Sequence, residues 1–86
     1  MSRASLFRSD FHRASTVVKL RSGGMCEMNT PACTQRAVHV HHRAGRLGPN
    51  ANDPAMLLHC CLACHEFAHA HPTLSYEKGW LVRRLS

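Results

Sequence analysis

A Cys-x-x-Cys turn, formed by Cys61 and Cys64, constrains this chain more than any other feature. Two thiolates at this spacing can bind one Zn²⁺ from a single tight turn, with bonds of about 2.3 Å. Cys26 and Cys33 form the natural second pair, although the gap between them is wider than is usual for a zinc site. The spacing therefore predicts a structural zinc bound by four cysteines. A disulfide pair and unrelated buried cysteines are the two alternatives.

The length of the chain makes such a site important for stability. A single small domain, residues 1–86, buries too little apolar surface to dispense with a metal or disulfides. The cysteine count of five is odd, and the N-terminus carries charges where a secretory signal has an apolar run. We therefore expect a reducing, cytoplasmic location, with Cys60 left over as a buried small hydrophobe. No stretch approaches the roughly 20 apolar residues of a membrane span, so no membrane partner is expected.

Two histidines follow the cysteine turn on a predicted helix. His65 and His69 are four residues apart, which places both rings on one helix face, where they can share a cation. The doublet His41–His42 on a preceding strand offers one further ligand and one free ring that can act as a general base. The alternative is that the helical pair only faces solvent. We expect the remaining histidines to be structural or exposed: His12, His39, His59 and His71.

The N-terminal part of the chain predicts a flexible arm and then a helix. Residues 1–9 show no hydrophobic period, so we expect the arm there. Ser9 or Asp10 can cap a helix that runs to about Leu20, and the two glycines at positions 23 and 24 end it.

The rest of the pattern predicts a small α+β fold. Residues 37–43 alternate as a strand, and residues 45–54 form a long loop rich in turn residues. A helix over residues 65–70 ends before Pro72.

The balance of charges suggests a polyanionic partner. The formal net charge is +6, and the arginines are spread along the whole chain. Basic side chains neutralise phosphates and release counterions, which favours nucleic acid as the partner. The alternative is an ordinary solvated surface.

The combination of these features resembles the HNH endonucleases, in particular the small zinc-binding members encoded by bacteriophages. The resemblance covers about residues 16–82 and rests on an ordered set of residues: Cys26, Cys33, His41–His42, Asp53-Pro54-Ala55-Met56-Leu57, Cys61, Cys64, His65 and His69. It implies the family's ββα-metal fold, in which a two-stranded hairpin with a long loop precedes a helix. Here that fold would carry a structural four-cysteine zinc site and an N-terminal helix.

The resemblance also implies a role for each site residue. His42 would be the general base that deprotonates the attacking water. The ligands of a divalent cation such as Mg²⁺, Mn²⁺, Ni²⁺ or Zn²⁺ would be His41, His65 and His69. Arg43 and Arg46 would contact DNA phosphates beside the base.

One position departs from the family pattern. The middle asparagine, which orients the base, is replaced by Met56, while Asn50 and Asn52 lie nearby but out of register. Methionine cannot make the amide hydrogen bonds. A backbone group or another side chain must therefore hold His42, or activity is reduced.

The leading hypothesis from the sequence is a metal-dependent endonuclease that acts on double-stranded DNA in the bacterial host cytoplasm. The principal alternative is a zinc-stabilised nucleic-acid-binding module with weak or no catalysis. A third interpretation takes Cys61 to His65 as a c-type haem attachment site. That chemistry requires export, so no haem is expected.

Overall fold

A two-stranded antiparallel sheet lies between helices in the computed structural model, which describes residues 3–48 and 50–83. The fold is small α+β. Its elements in chain order are α1 (Arg3–Ser22), β1 (His39–His42), a short 3-10 turn (Pro54–Met56), β2 (Leu57–Cys60), α2 (Leu62–Ala70) and α3 (Pro72–Lys78). Among the described residues, no helix combines the length and the apolar character needed to cross a membrane.

The first helix is longer than the sequence predicts. It begins at Arg3, so helix stands where a flexible arm was expected over residues 3–9, and no cap at Ser9 or Asp10 is needed. Residues 1 and 2 lie outside the described part. The predicted end is confirmed, because Gly23 follows Ser22 with a φ of 62° and donates its amide to the Lys19 carbonyl at 3.1 Å. That left-handed conformation favours glycine.

The side chains of β1 alternate between the two helices that flank the sheet. The strand pairs with β2 in a register that sets His42 opposite Leu57. Val40 and His42 point toward α1, where they contact its apolar face and its Phe11 ring. His39 and His41 point toward α2, where both rings contact that of His65. This period of two separates the histidine doublet onto opposite faces of the strand.

Two small cores hold the layers together. On one side of the sheet, Ala14 and Val18 of α1 pack against Leu57, with Val40 at the edge. The core on the other side is built largely from sulfur-bearing and small side chains around one large ring: Cys26, Met28, Cys60, Cys61, Cys64, Ala68 and Trp80. Partly buried Leu58, Phe67 and Leu74 pack against this cluster from outside.

A polar clamp ties the end of α1 to the cysteine-bearing loop and to β2. The Arg21 guanidinium donates to both carboxylate oxygens of Glu27, at 2.8 and 2.7 Å, and to the carbonyl of Leu57 at 2.9 Å. Glu27 in turn accepts the backbone amide of His59 at 2.8 Å. The clamp therefore joins three segments that are distant in sequence.

Candidate metal centres and active site

Four cysteines converge as predicted. The sulfur atoms of Cys26, Cys33, Cys61 and Cys64 all lie within 4.8 Å of one another, an arrangement that can hold a metal ion. Three of the four side chains are buried and Cys33 is half-buried. Tetrahedral ligands at about 2.3 Å from a central ion stand about 3.8 Å apart. The donor set and spacing therefore fit Zn²⁺, and the prediction of a four-cysteine site is confirmed at the level of geometry.

The wide gap between the first two cysteines is accommodated by a closed loop. Residues Met25 and Arg36 form an isolated antiparallel bridge, and the Cys26 amide donates to the Gln35 carbonyl at 2.6 Å. A tight turn inside the loop brings the Cys33 amide to the Thr30 carbonyl at 3.0 Å. The backbone therefore brings Cys33 close to Cys26, although more residues separate the two cysteines than in most zinc turns.

Backbone amides surround the sulfurs. Cys61 is the N-cap of α2, and its sulfur accepts amides from Cys64 at 3.3 Å and from Thr34 at 3.4 Å. Burial raises the pKa of the Cys61 thiol, but these hydrogen bonds outweigh burial and lower it. The partial positive charge of a helix N-terminus acts in the same direction. The Cys61 sulfur is therefore suited to be a thiolate, whereas burial raises the pKa of the neighbouring Cys64 thiol.

Cys60 behaves as expected of a thiol outside the site. Its side chain is fully buried in the same core, and burial raises its pKa to about 12. All five cysteines are free, so the disulfide alternative is not present in this structure.

Three imidazoles form a second candidate metal centre. One ring nitrogen each from His41, His65 and His69 lies within 4.8 Å of the others. The Nε2 atoms of His65 and His69 are 3.2 Å apart. Nitrogens bound to one cation at about 2.1 Å are separated by roughly 3.0–3.4 Å, so this spacing fits two ligands of a shared ion. The i, i+4 pair therefore faces a partner on β1 and not only solvent.

His41 is held in the state that a metal ligand requires. Its Nε2 donates to the carbonyl of Trp80 at 2.8 Å, which leaves the lone pair of the neutral ring on Nδ1. Burial lowers the pKa of His41 to about 4, opposed by the Trp80 contact and assisted by the charges of the neighbouring rings. The ring is consequently neutral at pH 7, as metal binding demands.

His42 is held separately, on the other face of β1. Its Nε2 lies 3.1 Å from Oδ1 of Asn52, and its ring stacks on Phe11 with 5.2 Å between centroids and 20° between planes. An amide oxygen only accepts, so Nε2 donates and the lone pair of the neutral ring is on Nδ1. Burial lowers the pKa of His42, and the Arg46 charge lowers it further, against the contact with Asn52.

The side chain of this loop that contacts His42 is that of Asn52. Met56 takes part only through its backbone, donating to the Asp53 carbonyl at 2.7 Å and accepting the Arg43 amide at 3.0 Å. Sequence register places Asn52 too early to serve as the family's asparagine. The loop turns back on itself through a hydrogen bond from the Asp53 amide to the Asn50 carbonyl, at 3.1 Å. This turn brings the Asn52 side chain to His42 on β1.

The two arginines expected at the phosphates differ in their surroundings. Arg43 donates through Nε to the Gly79 carbonyl at 2.7 Å and through Nη1 to the Ala55 carbonyl at 2.8 Å. These contacts fasten the loop to the C-terminal segment, and the phosphate contact of Arg43 stays a prediction. Arg46 is exposed at the rim of the cleft.

One open cleft of about 320 Å³ joins both groups of imidazoles. Its lining comes from β1, the loop after it and α2: His39, Val40, His41, His42, Gly45, Arg46, His65 and His69. His39, which had no predicted partner, lies with its ring 4.3 Å from that of His65. No local sequence pattern predicts that contact, because it depends on how β1 packs against α2.

Comparisons of the chain with protein-family models, with curated proteins and with solved structures found no significant match.

Proposed function

We propose that this chain is a metal-dependent endonuclease of the HNH type that hydrolyses phosphodiester bonds in DNA. The observation that carries the proposal is the cleft at which three clustered imidazoles meet a fourth, His42, that is held apart from them. A structural zinc site or a simple histidine cluster has no need of a separately oriented ring. The order of β1, β2 and α2 also agrees with the ββα-metal arrangement.

His42 acts as the general base in this proposal. It accepts a proton from the attacking water at Nδ1, the nitrogen that its contact with Asn52 leaves unprotonated. The ring is neutral near pH 7 because burial lowers its pKa. Asn52 takes the orienting role that Met56 cannot perform, by fixing the tautomer and the direction of the ring.

A divalent cation bound by His41, His65 and His69 would supply Lewis-acid stabilisation of the charge that develops on the phosphate and its 3′-oxygen leaving group. The protein's contribution is to hold these rings close together. His41 is oriented by the Trp80 carbonyl, and the other two rings are fixed by α2.

Arg46 is the side chain proposed to contact the substrate backbone beside the base. It lies at the rim of the same cleft, and a guanidinium binds phosphate oxygens with charge-assisted hydrogen bonds. Together with the formal charge of +6, this favours DNA as the partner.

Cleavage of supercoiled plasmid tests the proposal. The zinc-loaded protein is incubated with plasmid and Mg²⁺, Mn²⁺, Ni²⁺ or Zn²⁺, and His42→Ala is compared with wild type. We expect nicking by wild type and a loss of roughly 10²-fold or more in the variant, in line with removal of a general base. His12→Ala, which changes an exposed histidine outside the cleft, serves as the matched control.

Equal nicking by wild type and His42→Ala would refute the assigned mechanism. Salt-sensitive DNA binding without cleavage under any of the metals would instead support the alternative of a non-catalytic binding module. Zinc content is measured for each variant, so that a misfolded protein is not mistaken for an inactive one.

A further inference from the structure

The N-terminal helix contacts the proposed general base directly. Phe11 of α1 stacks on the His42 ring with a sideways offset, with centroids 5.2 Å apart and planes inclined by 20°. Asn52 meets the same ring at its Nε2 edge, 3.1 Å away. One neighbour therefore limits tilting of the imidazole plane, and the other limits rotation within that plane.

The helix that carries Phe11 is anchored on the same strand pair. Ala14 and Val18, three and seven residues further along α1, are buried against Leu57, the residue opposite His42 in the sheet. Arg21 fastens the end of the helix by donating to the carbonyls of Leu57 at 2.9 Å and Pro54 at 2.9 Å. Because the helix is held from Ala14 to Arg21, Phe11, which lies one turn before Ala14, is placed beside the His42 ring.

We propose that Phe11 is a positioning residue for His42, so that α1 is part of the active site and not only a cover for the sheet. The proposal rests on the endonuclease function proposed above. An apolar ring against one imidazole face keeps water from that face and leaves the ring edges for hydrogen bonds. Misorientation of a reacting group costs on the order of 10²-fold in rate, so the contribution is measurable.

The position of the cation site predicts whether kcat or KM changes when the Phe11 ring is removed. Its three rings lie on the α2 side of the sheet, and Phe11 packs on the α1 side. Removal of the Phe11 ring is therefore expected to lower kcat while KM for the plasmid stays within about twofold, since cation and phosphate contacts do not pass through the ring.

Three substitutions and a control test this positioning role. Phe11→Leu keeps apolar volume without a flat ring, Phe11→Ala removes both, and Phe11→Tyr keeps the ring. We expect kcat to fall about 10- to 100-fold in the first two and to recover to within a few-fold of wild type in Phe11→Tyr. Val17→Ala, on an exposed part of the same helix, is the control and should leave kcat unchanged. Thermal unfolding and metal content are recorded for all four.

Wild-type kcat in Phe11→Leu would overturn the proposal, as would equal losses in Phe11→Tyr and Phe11→Ala. A second measurement does not depend on cleavage. The stacked phenyl ring should shift the His42 ring-proton resonances upfield in the zinc-loaded protein, and Phe11→Leu should abolish that shift. If no metal supports cleavage by wild type, the proposed function fails, and this spectrum alone decides whether Phe11 holds His42; unmoved resonances would overturn the contact.

Discussion

His42 and Asn52 are ten residues apart in sequence, and no local sequence pattern predicts the hydrogen bond between them. The residue types at the candidate site could be read from the sequence, because thiol and imidazole spacings are local signals. Asn52 could not, since its contact depends on how a loop of turn residues folds back. No periodicity or motif encodes that path.

The hydrogen bond between Asn52 and His42 predicts that substitutions of Asn52 and of Met56 have different effects on kcat. Asn52→Ala should lower kcat about 10²-fold, because the His42 ring loses its orientation and its preferred tautomer. Met56→Ala should leave kcat within a few-fold, because Met56 contributes backbone hydrogen bonds that alanine keeps. Steady-state plasmid nicking, with metal content as a check on folding, measures both. A greater loss in Met56→Ala than in Asn52→Ala would contradict the assignment of the bracing residue.

The surroundings of His42 also predict a pH profile. A general base must be neutral, so activity falls as pH drops through its pKa. Burial lowers the pKa of His42 below its ordinary value of 6.5, and the neighbouring charges of Arg46 and His39 reinforce the shift against the Asn52 contact. The acid limb of kcat against pH should therefore lie below 6.5. Metal retention is measured at each pH, and an acid limb above 6.5 with the metal still bound would contradict this prediction.

At the scale of elements, the strand and helix order was predictable and the extent of α1 was not. The alternation of residues 37–43 predicts a strand, and the cysteine turn followed by spaced histidines predicts α2, which begins at Leu62. The first residues of α1 carry no clear apolar period, so their helical state could not be read from the pattern. The Arg21–Glu27 clamp was also missed, because it joins segments that only the tertiary fold brings together.

The clamp predicts how stability depends on Glu27. Burial raises its pKa, but hydrogen bonds from Arg21 and the His59 amide outweigh burial and lower it. A lowered carboxyl pKa stabilises the fold above the unfolded-state value near 4.5, and that contribution is lost as pH falls through the folded-state value.

We expect Glu27→Gln to reduce the free energy of unfolding at pH 7 by about 1 kcal/mol, because the pair is partly exposed and screened. Glu77→Gln, at an exposed site on α3, is the control and should change stability by less than about 0.5 kcal/mol. Urea unfolding at pH 7 and at pH 4 measures both. A difference between wild type and Glu27→Gln that grows toward low pH would contradict the sign worked out above.

At the scale of the whole molecule, we expect the cysteine-rich core to make folding depend on a metal. Outside the α1 side of the sheet, the buried apolar groups are chiefly cysteine, methionine, alanine and one tryptophan. A small core of this kind needs a metal to reach useful stability, and a preformed ligand set rarely survives without one. Length and cysteine spacing predict this dependence, and the structure confirms the convergence of the four cysteines on which it rests.

Removal of the zinc should therefore unfold the half of the molecule around Trp80. We expect excess strong chelator at pH 7 to abolish the near-ultraviolet circular dichroism of this tryptophan, which is buried in the cysteine core. Cys33→Ser should behave like the chelated protein. Cys60→Ala should keep one tight zinc and its signal, since Cys60 lies outside the ligand set. Retention of the tryptophan signal after complete zinc removal would contradict this account.

The alternation of side chains along β1 limits which mutations this protein can accept during evolution. Consecutive positions on this strand place the His41 ring against α2 and the His42 ring against α1, so in the proposed function cation binding and proton acceptance lie on opposite faces. Mutations in α2 can therefore change which cation is preferred. Mutations in α1 can change the pKa of His42 independently of that preference. An insertion or deletion of one residue within β1 would move both side chains to the opposite faces of the strand, so this segment should not tolerate a change in length.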